Sequence, residues 1–272
     1  VGFSNARIGF ERFYQVWGKY GPVDRYDRVI RFVRNDPFLL TIRDADMDIS
    51  DGRDTLEVSL ACKSGGTKTF KALESDEFPG TFDRVLKNLN YQAPSLVFKA
   101  YQTSTADSND TLDILDAGCG TGLCGKYFKP YAKRLEGVDL SSAMLEKARE
   151  LDLYDKLITA ELTNYMLNHP GAYDLVISAD TLIYFGALDD VFKAAAGTLR
   201  SGGVFIFTVE HLQAEDTRNH QINIHGRFSH TENYVRDMLS LTGFTGISLT
   251  KDTLRKENKQ PVEGLTVVAT KP

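Results

Sequence analysis

A chain of 272 residues with 42 % hydrophobic content is long enough to bury a full core, as one large α/β domain or as one domain with a smaller companion. Lys and Arg number 32 against 37 Asp and Glu, a net charge of -5 without any dense basic run, which excludes the electrostatic footprint of a nucleic-acid binder. An odd count of 3 cysteines (Cys62, Cys119, Cys124) fits reduced thiols in a cytoplasmic protein rather than a disulfide framework.

No apolar run approaches a membrane span, and Val1 to Phe10 has neither the basic start nor the apolar core of a signal peptide. The first residue is Val rather than Met, as expected of a segment taken from a longer chain. From Ile8 to Val33, Phe10, Phe13, Tyr14 and Trp17, then Tyr26, Val29, Ile30 and Val33, recur at helical spacing and predict two amphipathic helices parted by Gly21-Pro22. Leu56, Val58, Leu60 and Cys62 then alternate with Glu57, Ser59, Ala61 and Lys63, and Gly65-Gly66 precedes Thr67 to Phe70, which predicts a small antiparallel meander. The polar stretch Glu74 to Gly80 reads as a linker. It sets the expected division at residues 1–78, a small α+β domain, and 79–272.

Phe82, Val85, Leu86 and Leu89 share one helical face, and a second helix runs from Tyr91-Gln92-Ala93-Pro94 to about Tyr101. Strands at Leu112 to Asp116, Arg134 to Val138, Lys156 to Thr159, Tyr173 to Ser178 and Gly203 to Val209 then alternate with helices near Leu123 to Phe128, Ala143 to Leu151, Leu162 to Leu167 and Leu188 to Leu199. Such alternation predicts an α/β fold built on a doubly wound, mostly parallel sheet, with its ligand at the carboxyl ends of the strands. A helix from Thr231 to Leu241, a strand from Phe244 to Thr250, a loop and a strand from Gly264 to Ala269 follow. The last two lack room for a crossover helix and pair antiparallel, for a seven-stranded sheet in all.

The first of these strands runs into Asp116-Ala117-Gly118-Cys119-Gly120-Thr121-Gly122, a turn expected to present bare amide NH groups and a helix start to a ligand. Gly120 to Gly125 matches G-x-G-x-x-G, and Asp139 follows at the distance of a ribose ligand, so a nicotinamide oxidoreductase is one reading. Asp116 opposes it. A carboxylate there repels a pyrophosphate but accepts from a cationic amine, which favours a ligand with an ammonium group and no phosphates, such as S-adenosylmethionine.

Asp116 to Gly122, Gly137-Val138-Asp139-Leu140-Ser141 with Met144, Tyr173-Asp174-Leu175-Val176 and Leu199-Arg200-Ser201-Gly202-Gly203 together resemble the class I (Rossmann-like) S-adenosylmethionine-dependent methyltransferases. Within them the chain is most similar to bacterial methyltransferase domains often fused to tetratricopeptide repeats. That similarity is carried by Leu89-Asn90-Tyr91-Gln92-Ala93-Pro94, Tyr154-Asp155, Ala160-Glu161-Leu162, Ala179-Asp180-Thr181-Leu182-Ile183-Tyr184-Phe185-Gly186, Gly226-Arg227-Phe228-Ser229-His230 and Gln260-Pro261-Val262-Glu263-Gly264-Leu265. Before Phe78 no helical repeat of about 34 residues occurs.

The resemblance implies that Asp116 and the Gly118, Cys119, Gly120 and Gly122 backbone hold the methionine end, and Asp139 the ribose hydroxyls. It places Leu140 and Met144 on the adenine face, Glu161 and Leu162 at its edge, and Ser178 and Ala179 beneath the sulfonium. The activity it implies is methyl transfer to a small or medium-sized acceptor, free, carrier-bound or protein-bound, through oxygen, nitrogen or carbon. The rival class is a non-catalytic S-adenosylmethionine-binding module. No nucleic acid or membrane is expected as partner, and the chain is expected to act as a monomer or homodimer.

Methyl transfer from a sulfonium needs alignment above all, and a base only where the acceptor is poorly ionised. Four of the 5 histidines (His211, His220, His225, His230) fall in one stretch with Glu210, Glu215 and Asp216. They lack metal-ligand spacing and read as a polar lid, without a metal. His211 and His230 are the candidate general bases, with Thr231 equally placed to cap the following helix, and Tyr184 is a candidate for the acceptor pocket.

Overall fold

The computed structural model describes residues 89–104, 111–213, 219–223, 227–257 and 260–272 in full, and before them the backbone of seven strands. The chain divides into two compact units, Val1–Phe78 and Pro79–Pro272.

In the first unit, β1 (Ala6–Gly9), β4 (Val29–Arg31), β6 (Thr55–Cys62) and β7 (Thr67–Leu73) form one antiparallel sheet in the order β4-β1-β6-β7. A second sheet has the order β3 (Gly21–Val23), β2 (Tyr14–Gly18), β5 (Leu39–Ile42). The meander read from residues 56 to 70 is present as the β6–β7 hairpin, with Val58 opposite Phe70. The two predicted helices are corrected where the structure describes them, because residues 14–18 and 29–31 are strands. Val16, Val29 and Ile30 are β-branched, and Gly18 and Gly21 face each other across a tight β2–β3 connection that a helix cannot include. Ile8 and Gly9 belong to β1, while Phe10, Phe13, Tyr26 and Val33 of those two segments, and the predicted helix at Phe82, Val85 and Leu86, lie outside the described residues.

The second unit is a three-layer α/β structure. Helix α1 (Ala93–Ser104) precedes β8 (Leu112–Ala117), α2 (Gly125–Phe128), β9 (Ala132–Asp139), α3 (Ser142–Glu150), β10 (Lys156–Thr159), α4 (Leu162–Leu167), β11 (Tyr173–Ser178), α5 (Asp189–Thr198) and β12 (Leu199–His211). The strand order β10-β9-β8-β11-β12 is parallel throughout and reverses direction of growth at β8, which opens the crevice of a doubly wound sheet beside that strand. Period-two alternation feeds the two faces. Leu115, Val138, Val176, Phe205 and Phe207 meet α4, α5 and α6 (Glu232–Leu241), whereas Ile114, Leu135, Leu175, Ile177 and Ile206 meet α1 and α2 through Val97, Tyr101 and Phe128.

Strand β16 (Gln260–Thr270) runs antiparallel to the far edge of β12 from Val204↔Thr270 to Glu210↔Gly264, and β15 (Thr245–Glu257) pairs outside it. This hairpin is longer than the sequence suggests, since the charged run from Lys251 to Glu257 is strand rather than loop. The charges disguise it. Leu254 and Arg255 within it are both buried.

Beyond the point where β11 ends, β12 continues and pairs in parallel with β14 (Phe228–His230), which pairs antiparallel with β13 (His220–Ile222). The segment read as a polar lid is therefore, where described, a short hairpin that brings the sheet to nine strands. Ile222 and Phe228 give it strand-forming side chains. His225, Glu215 and Asp216 lie outside the described residues.

One buried charge network ties the carboxyl end of this sheet together. Arg255, only 2 % exposed, directs Nη1 at both carboxylate oxygens of Asp180 (3.0 and 2.9 Å), Nη2 at Glu210 and Nε at Glu257 (2.8 Å). Arg227 joins Glu210 from Nε at 3.1 Å and also pairs with Glu257, while Asn223 and Ser229 donate to the other Glu210 oxygen. Removing the central cation leaves, among the described residues, the Asp180 carboxylate without an ion-pair partner and Glu210 with Arg227 alone. Arg255→Leu is expected to lower the unfolding free energy by about 3–5 kcal/mol, measured by chemical denaturation. An unchanged denaturation midpoint would contradict this role.

Candidate active site

The carboxyl ends of β8, β9, β11 and β12 converge on the glycine turn. Gly118, Gly120 and Gly122 have φ of 81°, 52° and 85°, left-handed values that admit glycine cheaply and other residues only with strain. At Gly118 space forbids a side chain as well, because a Cβ there would lie 2.2 Å from Thr181 Cγ2. The Thr181 hydroxyl donates to the Gly118 carbonyl at 3.0 Å, so the loop after β11 is locked to the turn after β8. Gly120 is different. A Cβ on it would meet nothing within 4 Å, so this face of the turn opens on free space.

Five amides of the turn are committed within the protein. Gly118 and Cys119 donate to the Val138 carbonyl (2.7 and 3.1 Å), Gly122 to Cys119, Gly125 to Gly122, and Gly120 to Asp139 Oδ2 at 2.9 Å. Helix α2 is also a single turn long. The amides of Gly118, Cys119, Gly120, Gly122 and Gly125 are thus spent on the protein and not on a ligand.

What it offers instead is a carboxylate. Asp116 is 1 % exposed. Its Oδ2 accepts from the Tyr154 hydroxyl at 2.6 Å, and its Oδ1 has no partner among the described residues. Burial pushes its pKa up to about 7, against the pull of the Tyr154 hydrogen bond and with added repulsion from Asp139. An orphaned, fully buried acceptor beside an open turn fits a cationic amine, and hence the methionine end of S-adenosylmethionine.

The other residues expected to hold that cofactor fall around the same crevice. Asp139, at the end of β9, accepts from the amides of Gly120 and Ser141, both at 2.9 Å, which orients the carboxylate. Leu140 is 41 % exposed beside it, an apolar side chain at a strand end. Met144 lies in the first turn of α3, which is capped by the Ser141 hydroxyl. Glu161 caps α4, its two oxygens accepting from the amides of Thr163 (2.9 Å) and Asn164 (2.7 Å), and Leu162 belongs to the core. The Glu161 side chain thus serves the fold as a cap, and Leu162 is packed in the interior. Ser178 is buried and donates to the Ala117 carbonyl at 2.8 Å, joining β11 to β8, with Ala179 just beyond it. Cys119 and Cys124 are buried thiols whose pKa is raised by burial and then by the nearby Asp116.

The histidines do not behave alike. His230 is fully buried, and its Nε2 donates to the Gly186 carbonyl at 3.0 Å, which leaves Nδ1 buried and without a partner among the described residues. Burial pushes its pKa down to about 3. It is a neutral hydrogen-bond donor stacked on Tyr234, and the expectation that it serves as a general base is corrected by that burial. His220 packs in the same cluster with Phe228 and Tyr234, its pKa lowered by burial. His211, whose two ring nitrogens are buried without a partner, also has a lowered pKa, from burial and then from Lys251. Thr231 caps α6, its hydroxyl accepting from the Tyr234 amide, and Tyr184 is 44 % exposed after β11. No group of three or more His, Cys, Asp or Glu able to hold a metal occurs among the described residues.

Sequence reading passed over three participants: Asp180, Arg255 and Tyr154. Asp180 follows β11 directly, with φ of 57°, and burial raises its pKa to about 6 although Arg255 opposes the shift. Its signal was present in Ala179-Asp180-Thr181, but its partner Arg255 is 75 residues away in a stretch that reads as loop.

Residues 115–207 match the family model described as "Methyltransferase domain". Among curated relatives, the probable S-adenosylmethionine-dependent methyltransferase CRG1 of Saccharomyces cerevisiae is 31 % identical over 134 residues, which cover 47 % of this chain and 45 % of that one. The malonyl-[acyl-carrier protein] O-methyltransferase of Enterobacter lignolyticus is 33 % identical over 95 residues, covering 35 % and 38 %. The chain thus spans less than half the length of these relatives. Among solved structures, the 1,6-didemethyltoxoflavin-N1-methyltransferase of Burkholderia thailandensis, with bound 1,6-didemethyltoxoflavin and S-adenosylhomocysteine, superimposes with a TM-score of 0.57 at 17 % identity. That match covers 82 % of this chain and 97 % of that one and shows the shared fold. Residues 115–207 thus carry a match to a methyltransferase domain, set in a sheet whose order and glycine turn are described above.

Proposed function

We propose that the chain transfers a methyl group from S-adenosylmethionine to a small or medium-sized acceptor through an oxygen, nitrogen or carbon nucleophile. The observation that carries this reading is the buried Asp116 Oδ1, unpartnered among the described residues, in a turn whose Gly120 faces open space. The cofactor supplies an electrophilic methyl group on a sulfonium. The chain's own part is to bind and align it. Asp116 accepts from the ammonium group, the backbone of Gly118, Cys119, Gly120 and Gly122 lines the methionine end, and Asp139 accepts from the ribose hydroxyls. Leu140 and Met144 cover the adenine, the backbone at Glu161 and Leu162 meets its edge, and Ser178 and Ala179 floor the crevice under the sulfonium.

The acceptor side is formed by the loop after β11, with Tyr184 and Asp180. Nearby, Arg255 and Arg227 already share three carboxylates, so neither guanidinium is free to anchor an anionic acceptor. That favours an acceptor that needs no guanidinium for its anchoring, such as a neutral amine whose free lone pair attacks when it is held in line. Relatives acting on sarcosine or dimethylglycine and on malonyl-[acyl-carrier protein] keep both free and carrier-bound acceptors within reach. Among the described residues no helix is long and apolar enough to cross a membrane.

Binding of the ammonium group needs Asp116 ionised, and its pKa of about 7 sets where that happens. Affinity for S-adenosylhomocysteine, read by calorimetry, is therefore expected to rise as pH increases through about 7 and then to level off. Asp116→Asn is expected to flatten that dependence and to cost about ten- to hundredfold in affinity above it. A pH-independent wild-type affinity would contradict the assigned role of Asp116. Incubation with S-adenosylmethionine and fractionated cell extract is expected to release S-adenosylhomocysteine. Tight cofactor binding without release from any fraction would favour the non-catalytic module.

A further inference from the structure

We propose that Tyr154 is a positioning residue whose phenol fixes the Asp116 carboxylate, so that one oxygen is held inside the protein and the other is left to receive the ammonium group of the methyl donor. This rests on the cofactor reading above and extends it to a residue outside the glycine turn. Tyr154 lies in the connection between α3 and β10, and its hydroxyl donates to Asp116 Oδ2 at 2.6 Å while Oδ1 stays unpartnered. Burial raises the phenol pKa well above its ordinary value, with Asp116 adding to the effect, so the hydroxyl keeps its proton at any working pH. Its acceptor is the carboxylate.

The groups acting on Asp116 leave this role to Tyr154 alone. Burial and the Asp139 carboxylate both favour the protonated acid, and the thiols of Cys119 and Cys124 alongside are neutral. Among the described residues, the one group that favours ionised Asp116 is the Tyr154 hydroxyl. A carboxylate without a cation nearby depends on that single hydrogen bond until a cationic ligand arrives.

The ring is seated as firmly as the hydroxyl. A Cβ on Gly122, Gly125 or Gly137 would come within 3.0, 2.8 and 3.0 Å of a Tyr154 ring carbon, so these three glycines form the slot that the ring fills. The neighbouring Asp155 pins the connection to β9, its amide donating to the Leu135 carbonyl at 2.8 Å and its carboxylate accepting from the Leu135 amide at 2.7 Å and from Lys129 at 3.0 Å. The second and third glycines of the formal G-x-G-x-x-G are thus explained by an aromatic ring beneath the turn. No phosphate is needed above it.

The test is calorimetry of the full chain with S-adenosylhomocysteine between about pH 6 and pH 8.5, for wild type, Tyr154→Phe and Asp116→Asn/Tyr154→Phe. Tyr154→Phe keeps the ring in its slot, so the chain should stay folded at the assay temperature, as circular dichroism checks, with some loss of thermal stability from the missing hydrogen bond. Its affinity at pH 7 should fall about tenfold or more, and the deficit should shrink at the alkaline end as Asp116 ionises without help. In the Asp116→Asn background the same change should cost much less. The proposal is overturned if Tyr154→Phe binds as wild type does at pH 7, if its deficit is the same at every pH, or if it costs as much in the Asp116→Asn background. Wild type that binds no S-adenosylhomocysteine at any pH would overturn the cofactor reading and this inference together. Wild type that binds beside an unaffected Tyr154→Phe would overturn this inference alone.

Discussion

The cofactor side of this domain depends on a carboxylate kept out of water without a counter-charge. Asp116 has one hydrogen bond, from Tyr154, and an acidic neighbour in Asp139. Burial drives such a carboxylate toward its protonated form more strongly than one hydrogen bond draws it back, which is why its pKa lies near neutrality. The surrounding features all serve to keep it there. The left-handed glycines bring the chain around the strand end without side chains, the amides of the turn bond to β9 and Asp139 rather than to a ligand, and Thr181 closes the far side.

The second half of the site answers the same problem differently. Asp180, Glu210 and Glu257 are buried or nearly so, and their charge is met by Arg255 and Arg227 inside the protein. One end of the crevice is therefore an unmet carboxylate and the other a satisfied network. The first can attract a cation; the second can hold shape. This asymmetry agrees with a reaction in which the donor is gripped by charge and the acceptor by fit.

Much of this was legible in the sequence because it is local. The alternation of apolar strands with amphipathic helices gave the parallel sheet, and Asp116 with its glycines and Asp139 stand within a span of 24 residues where spacing alone carries meaning. What escaped was either nonlocal or masked by composition. Arg255 and Asp180 meet across 75 positions, and the Lys251 to Glu257 strand looks like a loop because it carries five charges among seven residues. The two front helices failed for another reason. Apolar residues at i, i+3, i+4 and i+7 can coincide in a segment whose β-branched residues and glycines prefer paired strands, as Tyr14–Gly18 shows. The histidines were rightly noticed as a group, but burial decides what an imidazole does. His230 is a neutral donor to Gly186 because its strand lies under the loop after β11.

The contact between Thr181 and Gly118 has a consequence for how such a site can change over time. The threonine side chain fills the volume that a larger residue at position 118 would need, and its hydroxyl is bonded to that same residue's carbonyl. The glycine turn and the loop after β11 are thus mechanically a single part. If that loop receives the acceptor, as proposed, a drift in acceptor preference must leave position 181 in place and act through residues farther along the loop.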